Sequence, residues 1–376
     1  MATITYLTQC TFDFGAIKAT PSALKANGVK RPFVVTDPGL KANGLSDRLL
    51  AALGGEPAGV YADTPANPTE AAARAATEMY RAAQADGIVA LGGGSSMDLG
   101  KAVGLMAAHE GPYDRYGATQ RGFKLIRPTP PLIAVPTTAG TGSEVSVGFI
   151  LILDSGRKET FVSPHLVPKA AICDPELTLG LPPALTAATG MDAVTHCIEA
   201  VLSPVVNPPA EAIGLDGLEH ALKHGMLERA VADGNDRDAR WAMMMASYEG
   251  ALAFVKGLGA VHGLSHALGR IGALKLHHGT LNAVILPHAL AMIGDAAPEK
   301  FARLRSAMGL NPTADLAQAV TDLNARIGIP ASLSALGVTQ THWPDTRDYA
   351  VSDLATASNA VPFDGAKYDE LFARAL

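Results

Sequence analysis

Two pairs of potential metal ligands, each with four-residue spacing, are the features of this sequence best suited to chemistry. Asp192 and His196 stand in Thr189-Gly190-Met191-Asp192-Ala193-Val194-Thr195-His196, and His262 and His266 in Val261-His262-Gly263-Leu264-Ser265-His266. On a helix, residues four apart project from one face, so each pair offers two ligands side by side. A doublet, His277-His278-Gly279, follows, and four of the eleven histidines fall between Val261 and Gly279. Imidazole nitrogens combined with a carboxylate oxygen suit a divalent ion. A single pair is more often an ordinary hydrogen bond; two pairs and a doublet in one apolar stretch favour the metal. The residues alone leave open which of His262, His266, His277 and His278 would bind it. His109, His165, His220, His224, His288 and His342 have no such company and read as structural or surface residues.

A second chemistry is written in glycine. Leu91-Gly92-Gly93-Gly94-Ser95-Ser96-Met97-Asp98 follows the apolar run Gly87 to Leu91 and opens a helix expected from about Ser96 to His109. Glycines let a backbone approach a ligand closely, and the free N–H groups at a helix start favour phosphate. A plain strand-to-helix turn needs one glycine rather than three. The loop is neither GxGxxG nor a Walker loop. A second loop, Pro136-Thr137-Thr138-Ala139-Gly140-Thr141-Gly142-Ser143-Glu144, leaves the expected strand Leu132 to Val135. Loops at the carboxyl ends of parallel strands are where open α/β sheets bind ligands. Asp37 closes the strand Pro32 to Thr36, where a carboxylate can hold an adenosine ribose and repel a 2′-phosphate. On residues alone a turn-forming role before Pro38-Gly39 is the simpler reading.

The elements that must position these groups change character along the chain. The first half alternates short apolar runs (Pro32 to Thr36, Ala58 to Ala62, Gly87 to Leu91, Leu132 to Val135) with helical segments such as Glu70 to Ala85. Phe149 to Leu153 and Glu159 to Val162 read as a hairpin turned at Asp154-Ser155-Gly156. This predicts a Rossmann-like α/β domain, residues 1–181, with a mostly parallel sheet. Beyond Leu181-Pro182-Pro183, Ala/Leu/Met-rich segments take over: Leu185 to Leu202, Ala210 to Leu227, Asp236 to Phe254, His262 to Leu274 and Thr313 to Arg326. They predict an all-helical domain over 182–376 that carries the metal.

Composition limits the partners. The chain has 376 residues, 48% of them apolar, which suits two cores. A net charge of −6 without a run of basic residues argues against nucleic acid. No stretch of apolar residues is long enough to span a membrane, and Met1 to Cys10 does not read as a signal peptide. Three cysteines, Cys10, Cys173 and Cys197, without paired spacing point to reduced thiols and the cytoplasm.

Six segments in order resemble the iron-containing (group III) alcohol dehydrogenases: GGGSSMD at 92–98, PTTAGTGSE at 136–144, DPELTLGLPP at 174–183, ATGMDAVTHCIEA at 188–200, GLGAVHGLSHALG at 257–269 and HHGTLNAVILPH at 277–288. The resemblance spans nearly the whole chain. It implies a dehydroquinate-synthase-like fold, NAD as cofactor, and metal ligands at Asp192, His196, His262 and one of the 277–278 doublet. His278 is the choice because the family's ligand immediately precedes the glycine of its His-Gly motif. The two extra residues then fall in the loop Arg270 to Leu276, where insertion costs little. His266 falls where the family keeps a non-ligand histidine near the nicotinamide, which makes it the catalytic candidate and departs from reading both members of the pair as ligands. The cofactor residues implied are Asp37, Asn67, Gly93, Gly94, Ser95, Asp98, Thr137, Thr138, Thr141, Ser143 and Lys158. Fe2+ is the expected metal, with Zn2+ compatible with the same donors, and a homodimer the expected assembly.

The activity expected is reversible oxidation of a small, primary alcohol to an aldehyde or ketone, with hydride passing to NAD and the metal acting as a Lewis acid. Rivals are a metal-free oxo-acid reductase resembling maleylacetate reductase, a lyase resembling dehydroquinate synthase, and a non-catalytic nucleotide- and metal-sensing module. No clustered arginines advertise an anionic substrate. Phe149, Phe254, Leu258 and Val261 are as compatible with core packing as with lining a pocket.

Overall fold

The computed structural model describes residues 8–376. The chain forms two compact units, one of residues 8–138 and 142–178, the other of 139–141 and 179–376.

The first unit is built on a six-stranded sheet. Its strands are β1 (Gln9–Phe12), β2 (Pro32–Val35), β3 (Gly59–Tyr61), β4 (Gly87–Gly92), β5 (Leu132–Pro136) and, after a hairpin, β8 (Ala170–Cys173). The order is β1-β8-β5-β4-β2-β3 and every pairing is parallel. Strands β2, β4, β5 and β8 are buried along their whole length. That explains their continuous apolar sequence: a parallel strand with helices on both sheet faces has no solvent side. Alternate residues feed two cores. Phe33, Val35, Ile88, Ala90, Leu132 and Ala134 join one, and Val34, Val89, Leu91, Ile133 and Val135 the other. The helix Glu70–Ala82 is capped by Thr69, whose hydroxyl accepts from Ala72 N. It buries Ala73, Ala76 and Tyr80, and the Tyr80 ring meets Phe33 edge-on at 5.8 Å.

The hairpin of β6 (Gly148–Ile152) and β7 (Lys158–Val162) is antiparallel. Its burial alternates, as in a two-stranded ribbon with one covered face. Phe149 and Phe161 are register partners and stack at 4.7 Å, so Phe149 is a core residue of this unit.

The second unit is helical. At its centre lies the Pro183–Leu202 helix, buried without a break from Thr186 to its end. The helices Pro208–Leu218, Arg237–Ala253 and His278–Ile293 pack against it. The segment expected as one helix from Ala210 to Leu227 is interrupted. It ends its α-helical course at Leu218, passes through a wider π turn at Glu219–Lys223, and restarts at Met226 after Gly225, whose φ is 66°. No described helix is long and apolar enough to cross a membrane.

Candidate metal centre and dinucleotide loop

The Pro183–Leu202 helix places Asp192, His196 and Glu199 on one face by their spacing of four and three. Glu199 organises what faces them. Its Oε1 accepts from Val261 N at 2.9 Å, at the start of the Ala260–Leu268 helix, where an anion is favoured by unpaired N–H groups. Asn359 Oδ1 takes the neighbouring Ala260 N–H. The other Glu199 oxygen lies 2.5 Å from His262 Nδ1. A carboxylate can only accept, so Nδ1 carries the proton and Nε2 presents its lone pair. That lone pair faces Asp192 Oδ1 at 3.7 Å.

The fourth member arrives with the His278–Ile293 helix. A Cβ on Gly279 would lie 2.1 Å from Ala188 O, so only glycine lets this helix begin so close to the central one. His278 is its first residue. Its Nδ1 is held by Ser265 Oγ at 2.8 Å and its Nε2 is 3.6 Å from Asp192 Oδ1. His196 Nε2 is 3.7 Å from the same oxygen. Two ligands at about 2.1 Å from one ion in tetrahedral geometry are separated by roughly 3.4–3.6 Å, so these spacings fit a single divalent ion. Asp192, His196 and His262 are buried, and one ligand atom from each lies within 4.8 Å of the others.

A residue absent from the sequence reading supports the fit. Asn282, one turn beyond His278, donates from Nδ2 to Asp192 Oδ1 at 2.7 Å and lies 3.1 Å from Nε2 of both His262 and His278. One amide nitrogen with two hydrogens thus faces a carboxylate oxygen and two imidazole nitrogens that can each present a lone pair. An excess of converging acceptors is what a cation satisfies. Burial opposes ionisation of Asp192, yet His196, His278 and His262 hold its carboxyl well below the usual carboxylate range. Burial presses His196 down to about 4 against the pull of Asp192. Burial also works against a charge on His262, but Glu199 and Asp192 raise it to about 9: a second proton at Nε2 answers the two carboxylates when no cation does, and a bound ion would take that proton's place.

His266 belongs beside this group and makes a different contact. Its Nδ1 lies 3.0 Å from Asp353 Oδ2, and its ring is 5.2 Å from that of His278. His277 precedes the helix and is exposed. Phe254 meets the His196 ring edge-on at 5.0 Å. Glu199, Ser265, Asn282 and Asp353 were missed. Glu199 and Asn282 carry a signal, seven residues from Asp192 and four from His278 on the same helical faces. Asp353 carries none, since it lies 87 positions from His266. Of the histidines read as structural, His109 bridges Leu105 O and Arg127 N at 2.9 and 2.8 Å.

In the first unit the glycine loop closes β4. Gly92, at φ 148°, adopts a backbone that side chains avoid. Gly93 then caps the Gly94–Ala108 helix with no side-chain partner for its first N–H groups. Thr138 Oγ1 is buried without a hydrogen-bond partner, and a Cβ on Gly93 would approach it to 3.3 Å. Thr137 N donates to Gly92 O at 3.0 Å, which joins the two loops. These unspent donors suit a pyrophosphate. Ser95 Oγ donates to Ala66 O, next to exposed Asn67. Asp37 caps the Pro38–Ala42 helix through Leu40 N, and its other oxygen is 3.4 Å from Ser96 Oγ beside the glycine loop. Both the turn role and the ribose-facing position are therefore open to it.

Asp98 is more fully engaged than its place among the cofactor candidates implies. It accepts from Ser143 Oγ at 2.7 Å and Ile150 N at 3.0 Å. Burial raises its pKa against the nearby charges of Lys101 and Lys158. Buried Lys101 in turn donates to Ser146 O and Gly148 O. Asp98 and Ser143 thus pin the hairpin to the Gly94–Ala108 helix. Thr141 belongs with the short segment 139–141 that packs in the helical unit.

A parallel-sheet unit with a phosphate-suited glycine loop, and a helical unit in which buried Asp192, His196 and His262 could hold a metal ion with part-exposed His278 beside them, mark a dinucleotide-dependent dehydrogenase class. The chain belongs to the iron-containing alcohol dehydrogenase family: residues 8–175 match the family itself and 186–376 its C-terminal family. A 4-hydroxybutyrate dehydrogenase of Cupriavidus necator is 49% identical over 384 aligned positions, covering 100% of both chains. A 1,3-propanediol dehydrogenase of Klebsiella pneumoniae is 38% identical, covering 93% of this chain and 92% of that one. The crystal structure of a 1,3-propanediol oxidoreductase superimposes with a TM-score of 0.92 at 36% identity, covering 100% of both chains.

Proposed function

We propose that this protein is an NAD-dependent alcohol dehydrogenase that oxidises a small primary alcohol reversibly to its aldehyde. The observation that carries the reading is the convergence of Asp192, His262 and His278 on the single Asn282 amide, with His196 closing the group. Asp192, His196, His262 and His278 hold a divalent ion, Fe2+ in this reading, though Zn2+ suits the same donors. When bound, the ion supplies Lewis acidity.

The chain's own residues do the rest. Glu199 fixes the His262 tautomer, and Ser265 orients His278. His266, tied to Asp353, would take the alcohol's proton, and a bound nicotinamide would supply the hydride acceptor. Gly93, Gly94 and Ser95 bind the pyrophosphate, with Thr137, Thr138, Thr141, Ser143, Asn67 and Lys158 around the dinucleotide. Asp98 acts by holding the hairpin. The enzyme is cytoplasmic and homodimeric in this reading.

NADH formation from a panel of small alcohols by protein reconstituted with Fe2+ or Zn2+ tests the activity. No NADH with any alcohol and either metal overturns it.

Two further outcomes are expected. Glu199→Gln should weaken metal binding by about 10–100-fold, the usual effect of losing a partner that orients a ligand. Calorimetric titration of metal into stripped protein measures this, and unchanged affinity would make Glu199 only a helix cap. Asp37→Gly should reduce the preference for NAD over NADP by about tenfold, because a carboxylate repels a 2′-phosphate. Wild-type protein working equally well with NADP would leave Asp37 as a turn residue alone.

A further inference from the structure

A cavity of about 400 Å³ opens in the helical unit where the chain leaves the central helix. Its walls are the loop 203–208, Glu211 in the first turn of the Pro208–Leu218 helix, Lys256 at the end of the Phe254–Lys256 turn, and the Pro298–Ala307 helix. The charged residues lining it are three cations and one carboxylate. Lys256, whose side chain is only 1% exposed, donates from Nζ to Glu211 Oε2 at 2.7 Å. Arg303 Nη1 pairs with the other Glu211 oxygen. Lys300, one turn before Arg303 on the same helical face, donates from Nζ to Leu202 O at 2.9 Å and Ser203 O at 2.5 Å.

Two of these contacts hold the fold together. Lys300 covers the last carbonyls of the central helix, where a cation is favoured. Glu211 ties its own helix to Arg303 on the next. Neither role balances the charge: three cations against one carboxylate leave two positive charges uncompensated. The imbalance is felt on both sides. Burial opposes ionisation of Glu211, yet Lys256, Arg303 and Lys300 hold its carboxyl below its ordinary value. Burial, with Lys256 and Arg303, presses the Lys300 ammonium down, and Glu211 alone pulls the other way. Hydrogen-bond donors are in excess as well. Among the described residues Glu211 is the one acceptor for Lys256 Nζ, an ammonium with three hydrogens in a buried place. A buried donor without an acceptor is costly, so a group that supplies acceptors here is favoured.

We propose that this cavity binds a small phosphate monoester. A phosphoryl group carries about −1.5 to −2 charges at pH 7 and three acceptor oxygens. That matches two uncompensated positive charges and donors arriving from Lys256, Lys300 and Arg303. A carboxylate brings one charge and two oxygens, and so answers less of both. Much of the remaining lining is apolar and open: Val205 and Val206 are 47% and 70% exposed, beside Pro204 and Pro208. These side chains suit the carbon part of an ester, and the volume falls in the range of small-molecule pockets. None of the lining residues belongs to the Asp192 cluster or to the glycine loop, so the site is additional to both. The rival role for the cations is an ion-paired clamp between helices, which would affect stability alone.

Calorimetric titration of phenyl phosphate into the metal-loaded enzyme, with NADH present in excess to occupy the glycine loop, separates these roles. Wild type should bind one equivalent per chain, more weakly as salt is raised. Arg303→Gln and Lys300→Gln should each bind about 10–100-fold more weakly, the scale of one lost charge-assisted hydrogen bond. Arg303→Lys, which keeps the charge, should recover part of the loss. The Arg303 side chain is 50% exposed, so its replacement should leave the circular dichroism spectrum unchanged. Inorganic phosphate and benzoate, titrated in the same way, should both bind more weakly than phenyl phosphate. No saturable binding to wild type, equal affinity in the two glutamine variants, or benzoate or inorganic phosphate binding as tightly as phenyl phosphate overturns the proposal. Variants that melt earlier but bind phenyl phosphate as wild type does would leave the cations as a clamp.

Discussion

Asp192→Ala is expected to give a folded protein that binds no metal and has lost at least about 10³-fold in activity. Several kcal/mol of charge stabilisation disappear with the ion, and each factor of ten in rate corresponds to about 1.4 kcal/mol. Asp192 is the one anionic member of its group, and the Nε2 atoms of His196, His262 and His278 all lie 3.6–3.7 Å from its Oδ1. Without it three neutral imidazoles must hold a divalent ion beside an amide. The fold should persist because the central helix is secured by apolar packing along its length. The direct loss is the Asn282 hydrogen bond, worth about 1.5–3 kcal/mol for a charged acceptor. Asp192→Asn keeps the shape and guards against a packing artefact. Metal content by elemental analysis and circular dichroism measure the two halves. Full activity in stripped wild-type protein would falsify this and favour a metal-free oxo-acid reductase.

The second large effect divides adjacent histidines. His278→Ala should lower metal affinity by more than about 100-fold, whereas His277→Ala should retain one metal per chain with altered kinetics at most. His278 stands at the start of its helix, oriented by Ser265 toward Asp192, while His277 precedes the helix and is exposed. Consecutive side chains at such a start diverge by about 100°, so the two rings cannot share one ion. Elemental analysis after dialysis against a weak chelator distinguishes the variants. Metal loss in His277→Ala with retention in His278→Ala would sink the assignment.

Much of the fold was legible in residues. The apolar runs at β2, β4 and β5 are long enough and pure enough to be read as buried parallel strands. The strands β1 and β8 were not read: each is four residues, β1 alternates polar and apolar at the sheet edge, and β8 is Ala-Ala-Ile-Cys, which has weak strand character. The His278–Ile293 helix escaped because Pro287 stands inside it, normally a helix breaker. The helix expected from His262 to Leu274 begins at Ala260 and gives way at Leu268 to a tighter turn.

By itself the sequence determined the types of donor and their helical spacing. A carboxylate and an imidazole four residues apart share a helical face in almost any context, because 3.6 residues per turn is a local property. The same holds for glycines that free a helix start for phosphate. Tertiary structure decided which atoms of those donors turn toward one another. An imidazole has two nitrogens and a rotatable ring, and its orientation is set by partners that packing brings from elsewhere. Glu199 selects Nε2 of His262 across 63 positions, Ser265 does so for His278, and Asn282 closes on Asp192 across 90. Arg270 and Tyr349 likewise meet only because two helices pack side by side. No local pattern records such contacts, since the free energy that fixes them comes from burying the helices and not from the residues between them.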